Sequence, residues 1–311
     1  MKMQTDEIAA RASLAMILEA ASCPKPGNVH RLKDFKDTSF EHFLASAVSV
    51  QSVFKKATDE SIGSLFYEAV SKTRNIQNGG NTHFGTFILL IPLVKAAANL
   101  NNSKKQSGIK EIVEKAAEFC RQTIPEDAVR FYEAFRLLPV YVNKTKSETE
   151  DSNYDLTNPK SIESIKENGT TLLDLMKMSA ERDMVAAEWM NGFEKSCLFA
   201  EKLLENKTYF EKNPKKGYKS EINSAVALTF LEFMAAFPDT FIATKSGAKN
   251  AEKVRRKADK ILKSDSKNLK KRIPKIKKFD KNLRKKKMNP GSLADIAAAG
   301  IFIALLEGMK I

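Results

Sequence analysis

The sequence contains few residues that could link distant parts of the chain through covalent bonds or a metal ion. It has three cysteines and three histidines in 311 residues. The spacing of Cys23, Cys120 and Cys197 fits neither a disulfide framework nor a zinc site. An odd number of widely separated cysteines is typical of proteins from a reducing compartment. We therefore expect three unpaired thiols that are buried or partly buried.

A secretory signal and a long hydrophobic run are also missing. The first 21 residues are amphipathic and carry three acidic side chains, without the basic start and cleavage site of a signal peptide. The most apolar window, residues 84–98, contains Pro92 and Lys95 and is shorter than the roughly 20 residues that cross a bilayer. These absences predict a soluble cytoplasmic protein that does not bind a membrane.

Acidic residues are scarce in one segment, and the net charge of +14 arises there. Residues 245–287 hold 20 Lys or Arg and 4 Asp or Glu, which leaves a net charge of −2 for the remaining residues. Clustered basic residues bind phosphate backbones, so a nucleic-acid-binding protein is one alternative function. Against it, Phe279 is the only aromatic residue of the segment, and lysine is common on any solvated helix. We do not expect nucleic acid to be the partner.

Most of the chain shows the apolar spacing of helices, and alternating strand patterns are nearly absent. The pattern predicts an all-α fold, a single multi-helix domain over residues 1–311. Helices are predicted over residues 5–21, 40–55, 62–77, 86–99, 109–121, 128–138, 172–178, 183–204, 222–237, 248–263 and 293–309. Polar composition predicts a mobile loop at about 142–169 and a shorter loop at 205–219.

Four polar turns lie beside predicted helices, at residues 24–31, 79–86, 238–245 and 289–295. The second is glycine-rich and leads directly into an apolar helix, and the fourth places Gly291 and Ser292 at the start of the last helix. Such a turn presents unpaired backbone N–H groups and the positive end of the helix dipole, which suits a phosphate. A single turn of this kind could be an ordinary connecting loop. Four turns that carry Asn, His, Asp, Lys and Arg indicate one site on which the motif-bearing loops converge.

The candidate site residues come from these turns and from one charged cluster. His83 is a candidate acid or base because imidazole titrates near neutral pH, and Asp239 and Asp295 are candidate catalytic carboxylates. Candidates for binding substrate or phosphate are Lys25, Asn28, His30, Arg31, Gly80, Asn81, Thr82, Thr240, Lys245, Gly291 and Ser292. Candidate metal ligands are Asp239, Asp295, Glu181 and Asp183. Each turn alone also has a structural interpretation, in which its polar residues cap a helix or are solvated.

The four turns together resemble the motifs of the triphosphoribosyl-dephospho-coenzyme-A synthase family, which makes the prosthetic group of citrate lyase and malonate decarboxylase. The family's Pro-Lys-Pro-Gly motif is similar to residues 24–27, and its Asn-Thr-His turn to residues 81–83. Its Asp-Thr motif resembles residues 239–240, and its Ser-Pro-Gly-Gly-Ser-Ala-Asp signature resembles residues 289–295. The order is that of the family, and the matches extend from residue 24 to residue 295.

This resemblance implies an ATP-dependent triphosphoribosyl transferase. In that reaction the 2′-hydroxyl of 3′-dephospho-CoA attacks C1′ of the ATP ribose and adenine leaves, giving 2′-(5″-triphosphoribosyl)-3′-dephospho-CoA. It further implies Lys25, Arg31 and Lys245 as phosphate ligands, and Mg²⁺ as the metal that accompanies ATP.

The chain departs from the family's pattern on the acceptor side. His30 stands where the bacterial enzymes have Asp, and residues 32–37 replace a Gly-Ala-His…Asp-Met segment. The sequence therefore resembles a divergent branch of archaeal type. A related transferase acting on another cofactor precursor, or a nucleotide hydrolase that uses water as the acceptor, remain alternatives.

Overall fold

The described residues of the computed structural model are 3–101, 108–137, 154–156, 158–263 and 268–311. Within these ranges the chain forms α-helices joined by turns and contains no β-strand. The helices are α1 (Thr5–Ala21), α2 (Phe40–Ser49), α3 (Gln51–Phe54), α4 (Ile62–Ile76), α5 (Phe84–Asn101), α6 (Ile109–Arg121), α7 (Pro125–Leu137), α8 (Ser161–Asn168), α9 (Leu172–Ser179), α10 (Met184–Met190), α11 (Glu194–Lys212), α12 (Glu221–Ala236), α13 (Thr240–Ser246), α14 (Ala248–Lys263), α15 (Leu269–Lys285) and α16 (Gly291–Leu306). The prediction of an all-α fold is confirmed.

The helix boundaries differ from the prediction where turn residues interrupt a helical pattern. The single helix predicted over residues 183–204 is two helices, because Gly192 and Phe193 adopt left-handed backbone angles of φ 69° and 60° between α10 and α11. Helix α11 continues to Lys212, so the loop predicted at 205–219 begins later than expected.

Two further differences concern segments that were not predicted to be helical. The prediction of a loop at about 142–169 was wrong for residues 161–168, which form helix α8. Residues 142–153 and 157 of the predicted loop lie outside the described residues. Helices α13 and α15 were also missed. The buried residues of α15 follow a helical spacing that its many lysines obscure in the sequence; the apolar ones are Leu269, Ile273, Ile276, Phe279 and Leu283.

Three nearly all-apolar helices, α5, α12 and α16, form the centre of the fold. Thirteen of the 16 residues of α16 are buried, and so are 12 of the 18 in α5. A helix that is apolar on all sides must be surrounded by others, and α16 is in contact with α1, α5, α10, α11, α12 and α13. The second and fourth turns precede α5 and α16, so the core itself fixes the position of both turns.

Helix α5 is longer than its apolar window suggested. It has 18 residues and is apolar enough, by length and composition alone, to cross a membrane, contrary to our expectation from residues 84–98. Within the described residues 67% of that span is buried by the other helices, as in the core helix of a globular fold.

The basic segment 245–287 is part of the folded helical structure. Helix α15 buries one face against the rest of the protein and exposes lysines on the other. The exposed lysines of α15 and its C-terminal turn are Lys270, Lys271, Lys275, Lys277, Lys278, Lys281, Lys285, Lys286 and Lys287. In α15 the positive charges therefore lie on the solvent side of a helix whose other face is part of the core.

Close packing between α11 and α16 predicts that Gly300→Ala destabilises the protein. A Cβ atom at this position would lie 2.6 Å from the Cβ of Phe199 and 2.9 Å from the carbonyl oxygen of Ser196. Overpacking should exceed the gain of about 1 kcal/mol in helix propensity and lower the free energy of unfolding by about 1–3 kcal/mol. Urea unfolding measures the change. Lys253→Ala, an exposed change on α14, is the control and should stay within about 0.5 kcal/mol; a Gly300→Ala protein as stable as wild type would contradict the packing argument.

Candidate active site

The third and fourth turns are joined by the carboxylate of Asp239. One of its oxygens accepts a hydrogen bond from the backbone N–H of Ile242 at 2.8 Å, and the other accepts from that of Leu293 at 2.9 Å. These N–H groups belong to the first turns of α13 and α16, where no intrahelical partner is available. A single side chain, 2% exposed, therefore caps two helices and holds their N-termini together.

The hydroxyl of Thr240 extends this junction to α10. It accepts a hydrogen bond from the backbone N–H of Met184 at 3.2 Å and donates to the hydroxyl of Ser292 at 3.0 Å. Asp183, the N-cap of α10, accepts from Val185 N–H at 2.9 Å. The structure thus brings three of the predicted site residues, Asp183, Thr240 and Ser292, to the place where three helices begin.

Asp295 joins the fourth turn to the second. Its Oδ1 accepts a hydrogen bond of 2.6 Å from the Thr86 hydroxyl on α5. A Cβ atom on Gly85 would collide with Oδ2 of the same carboxylate. Glycine at position 85 is therefore what allows the half-buried carboxylate of Asp295 to approach the start of α5 so closely.

These carboxylates occupy an environment that disfavours their charge. Burial raises the pKa of Asp239 to about 7, against the lowering effect of its two backbone hydrogen bonds, and the charge of Asp183 raises it further. Burial also raises the pKa of Asp295 well above its ordinary value; the Thr86 hydrogen bond opposes this, while the charges of Glu19, Asp183 and Asp239 add to it. Several acidic groups thus repel one another in a poorly solvated place, which favours a bound cation.

The site contains one ion pair that the sequence analysis did not foresee. Lys25, a predicted phosphate ligand, is completely buried and pairs with Glu19 of α1, and its ammonium lies 5.6 Å from the ring centroid of Phe230. Burial lowers the pKa of Lys25 and raises that of Glu19, while their attraction opposes both shifts. A sequence signal for Glu19 did exist, because it lies on the buried stripe of α1 together with Ala12, Ala15 and Met16.

His83 lies at the bottom of the second turn with one ring nitrogen engaged. Its Nδ1 is 2.9 Å from the Ser46 hydroxyl, and the ring of Phe43 packs edge-on at 5.0 Å. Burial, and then the positive charge of Lys25, lower the pKa of His83 to about 3. The imidazole is therefore neutral at physiological pH. This weakens the prediction of an acid or base, because a group with so low a pKa holds a proton poorly.

Several buried polar atoms of the turns have no hydrogen-bond partner among the described residues. They are Nε2 of His30, Oγ1 of Thr82, Nε2 of His83 and Oδ1 of Asn289. Buried polar groups are almost always paired, so such atoms call for an explanation. Their concentration in the first, second and fourth turns is consistent with a site in which a polar ligand pairs with these atoms.

Helix α15 holds the first turn in place through two residues that sequence reasoning missed. One carboxylate oxygen of Asp280 accepts hydrogen bonds of 2.8 Å from the backbone N–H of Gly27 and from Nε of Arg284. The guanidinium of Arg284 also donates to the carbonyl oxygen of Asn28. In turn, the Asn28 amide donates to the carbonyl of Pro290 at 3.4 Å, which links the first turn to the fourth.

Other predicted residues do not join this buried centre. Glu181 is exposed, and the Arg31 guanidinium donates to the carbonyl oxygen of Ala21. The ammonium of Lys245, also exposed, lies 4.1 Å from the ring centroid of Phe241.

Three residues of the second and fourth turns are engaged within the protein. Asn81 accepts from Phe84 N–H at 3.2 Å, in agreement with the helix-capping alternative. The expectation of open N–H groups is wrong for Gly80 and Gly291 in this conformation, because they donate to residues 37–38 and to Asn289.

The carboxylates of the site fit a metal ion that is held jointly by the protein and the substrate, not by protein ligands alone. Among the described residues no group of three or more His, Cys, Asp and Glu side chains lies close enough to hold an ion. Mg²⁺, however, is commonly bound by one or two carboxylates together with substrate phosphates and water. Asp183, Asp239 and Asp295 are carboxylates of the kind that such a site needs.

Comparison with known proteins gives a match along nearly the whole chain. The family model described as ATP:dephospho-CoA triphosphoribosyl transferase matches residues 5–311, a range that includes all four turns. Among solved structures, the chain is similar to a crystal structure from Archaeoglobus fulgidus assigned as a triphosphoribosyl-dephospho-coA synthase. The sequences are 29% identical and the TM-score is 0.63, covering 86% of this chain and 100% of the other. No curated protein matches the chain.

The double cap predicts that Asp239→Asn destabilises the protein. Asparagine offers one acceptor oxygen instead of two, so one N–H loses its partner and faces an amide donor. We expect the free energy of unfolding to fall by about 1–3 kcal/mol in urea titrations. Asp183→Asn is the matched control, because Asp183 caps only α10 and asparagine caps equally well. Equal losses in the two variants would show that the second hydrogen bond of Asp239 contributes nothing.

A second prediction concerns His30, whose pKa burial lowers to about 3. The unfolded state takes up a proton below its pKa of about 6.5 and the folded state does not, so this stabilising contribution is present above pH 6.5 and is lost as the pH falls. Between pH 7.5 and 5.5 the free energy of unfolding should fall about 1.4 kcal/mol more in wild type than in His30→Gln. If the two proteins show the same pH dependence in urea unfolding, His30 takes up its proton over the same pH range in the folded and the unfolded protein, and the prediction is wrong.

Proposed function

The chain belongs to the ATP:dephospho-CoA triphosphoribosyl transferase family, and on that premise we propose that the four turns form its active site. The observation that carries the proposal is that three of the family-like turns each bond to the fourth, beside the carboxylates of Asp239 and Asp295. The reaction converts ATP and 3′-dephospho-CoA into 2′-(5″-triphosphoribosyl)-3′-dephospho-CoA and adenine. The bond between C1′ and the adenine nitrogen breaks, and a bond from C1′ to the 2′-oxygen of the acceptor forms.

We assign the carboxylates two kinds of role. Asp295 has one oxygen bound to the Thr86 hydroxyl, and its raised pKa suits a group that accepts the proton of the attacking hydroxyl. Asp295 accepts that proton in its ionised form, and before the transfer its negative charge would also stabilise the positive charge that develops at C1′. Asp183 and Asp239 would hold Mg²⁺, which when bound offsets the charge of the triphosphate.

The cationic residues act on the triphosphate in this proposal. Arg31 and Lys245 are exposed, and their side chains would leave the Ala21 carbonyl oxygen and the Phe241 ring to bind phosphate oxygens. Lys25 is held by Glu19 in the interior, so it contributes positive potential from a fixed position. Adenine leaves with the electron pair of the broken bond and takes up a proton.

The cellular location and the acceptor substrate are further parts of this proposal. The three cysteines are free thiols in the structure, which agrees with a reducing, cytoplasmic location. The acceptor is assigned from the family, although His30 and residues 32–37 differ from the family's pattern beside the first turn.

The test is mass spectrometry of the products formed from ATP, Mg²⁺ and 3′-dephospho-CoA. We expect free adenine and a triphosphoribosyl adduct, and a loss of at least about 100-fold in kcat/KM for Asp295→Asn. Asp59→Asn, an exposed aspartate before α4, is the control and should be fully active.

Each other outcome has a definite meaning. Adenine without an adduct would replace dephospho-CoA by water or by another acceptor. Absence of adenine would overturn the proposed reaction, and an active Asp295→Asn protein would remove Asp295 from it.

A further inference from the structure

We propose that Ser46 and Thr73 are positioning residues that keep His83 in the tautomer with its proton on Nε2. His83 would then serve as a neutral hydrogen-bond donor to an anionic oxygen of the substrate. The role in turnover rests on the proposed function, whereas the tautomer itself does not. Neither Ser46 of α2 nor Thr73 of α4 lies in any of the four turns.

The geometry is a chain of two hydroxyls that ends at the imidazole. The Thr73 Oγ1 and Ser46 Oγ atoms are 3.1 Å apart, and Ser46 Oγ is 2.9 Å from Nδ1 of His83. All three side chains are buried, with exposures of 2%, 0% and 2%. Bulk water is therefore excluded as an alternative partner for either hydroxyl.

The direction of donation along these hydrogen bonds follows from Thr73, the residue farthest from the imidazole. Apart from Ser46, the Thr73 hydroxyl has no hydrogen-bond acceptor in the described residues. Its proton therefore points at Ser46. The opposite direction would leave two groups unpaired, the Thr73 proton and the lone pair of His83 Nε2, whereas this direction leaves only the Nε2–H, which a ligand oxygen can accept. Ser46 then receives that hydrogen bond and donates its own proton to Nδ1 of His83. An imidazole that accepts at Nδ1 and is neutral carries its proton on Nε2.

The other ring nitrogen provides the second, independent observation. Nε2 of His83 is buried and has no partner among the described residues, so its N–H is available to a ligand. Burial, and then the nearby charge of Lys25, keep the ring neutral by lowering its pKa, and the charge of Lys25 adds positive potential. A neutral N–H donor in such a position suits an anionic oxygen, such as a phosphate oxygen, and cannot take the proton of the acceptor hydroxyl. This conclusion replaces the acid–base role expected for His83.

Nitrogen NMR of the full-length protein, with ¹⁵N in its histidine rings, tests the tautomer directly. The protein has only three histidines, so His30→Gln and His42→Gln variants assign the His83 signals. We expect wild-type His83 to show a protonated Nε2 and an unprotonated Nδ1 at pH 7.5. A protonated Nδ1 would overturn the proposal, whether or not the enzyme is active.

The variants separate the positioning role from simple packing. Ser46→Ala should give a mixture of tautomers and lower kcat by roughly 10- to 100-fold with KM nearly unchanged, as when other residues that orient a functional imidazole are removed. Ser46→Thr keeps a hydroxyl and should restore the single tautomer. Thr73→Val keeps the side-chain shape, removes the end of the chain and should also give a mixture.

Ser49→Ala is the matched control, because Ser49 lies on the same helix and, within the described residues, its hydroxyl bonds only to the Ser46 carbonyl oxygen at 2.9 Å. It should leave both the spectrum and kcat unchanged. A wild-type spectrum in Ser46→Ala and Thr73→Val would overturn the inference. Should Ser46→Ala not fold, Thr73→Val decides alone. An inactive wild-type protein with the expected tautomer would instead reject the proposed function and leave the tautomer established.

Discussion

The arrangement of the site depends on one buried carboxylate with both oxygens engaged. Asp239 takes an N–H from α13 and another from α16, and it thereby fixes where these helices start. Because α16 packs against six other helices, the position of its N-terminus is also set by the core. Thr240, Ser292 and Asp295 follow from that junction, since each lies within the first residues of one of the two helices. The local geometry of the site is thus a consequence of helix capping.

The same junction concentrates groups that are unfavourable in the folded protein. Burial raises the pKa of Asp295 and of Asp239, and Lys25 and Glu19 are kept away from water as a pair. Leaving buried carboxylates close to one another costs stability, and the fold tolerates the cost because the rest of the core is apolar. A bound cation would offset the negative charge of the carboxylates, and a triphosphate would offset the positive charge of the basic side chains. Substrate binding and local stabilisation are therefore expected to be coupled.

Sequence reasoning was most successful where chemistry interrupts regular structure. The convergence of the turns was predicted, and contacts of the fourth turn with each of the others confirm it, through Asn28, Thr86 and Asp239. The supporting residues could not be found in this way. Ser46 and Asp280 lie within helices, where a polar residue is ordinarily solvent-exposed and only the packing of another element shows that it is buried.

The errors in the fold have a similar physical origin. Helix α15 was missed because its exposed lysines outnumber the apolar residues that determine its orientation, and the break at Gly192 and Phe193 requires left-handed backbone angles that phenylalanine rarely adopts. The open N–H groups expected at two glycines were absent because residues 37–38 and Asn289 accept those hydrogen bonds. Local patterns predict which groups lack a partner within a helix, but they do not show which distant segment will supply one.

The pairing of α1 with α16 has a consequence for how the protein becomes active during synthesis. Glu19 and Asp295 influence each other's charge although the chain between them includes nearly all the other helices. A nascent chain that has not yet released α16 from the ribosome lacks Asp295 and also lacks the helix that encloses Asp239. In such a chain Glu19 of α1 is still exposed to water. Contacts between residues so far apart in sequence form slowly. The junction that Asp239 forms with α16 is therefore completed late, because one of its two hydrogen-bond donors belongs to the last helix of the described residues.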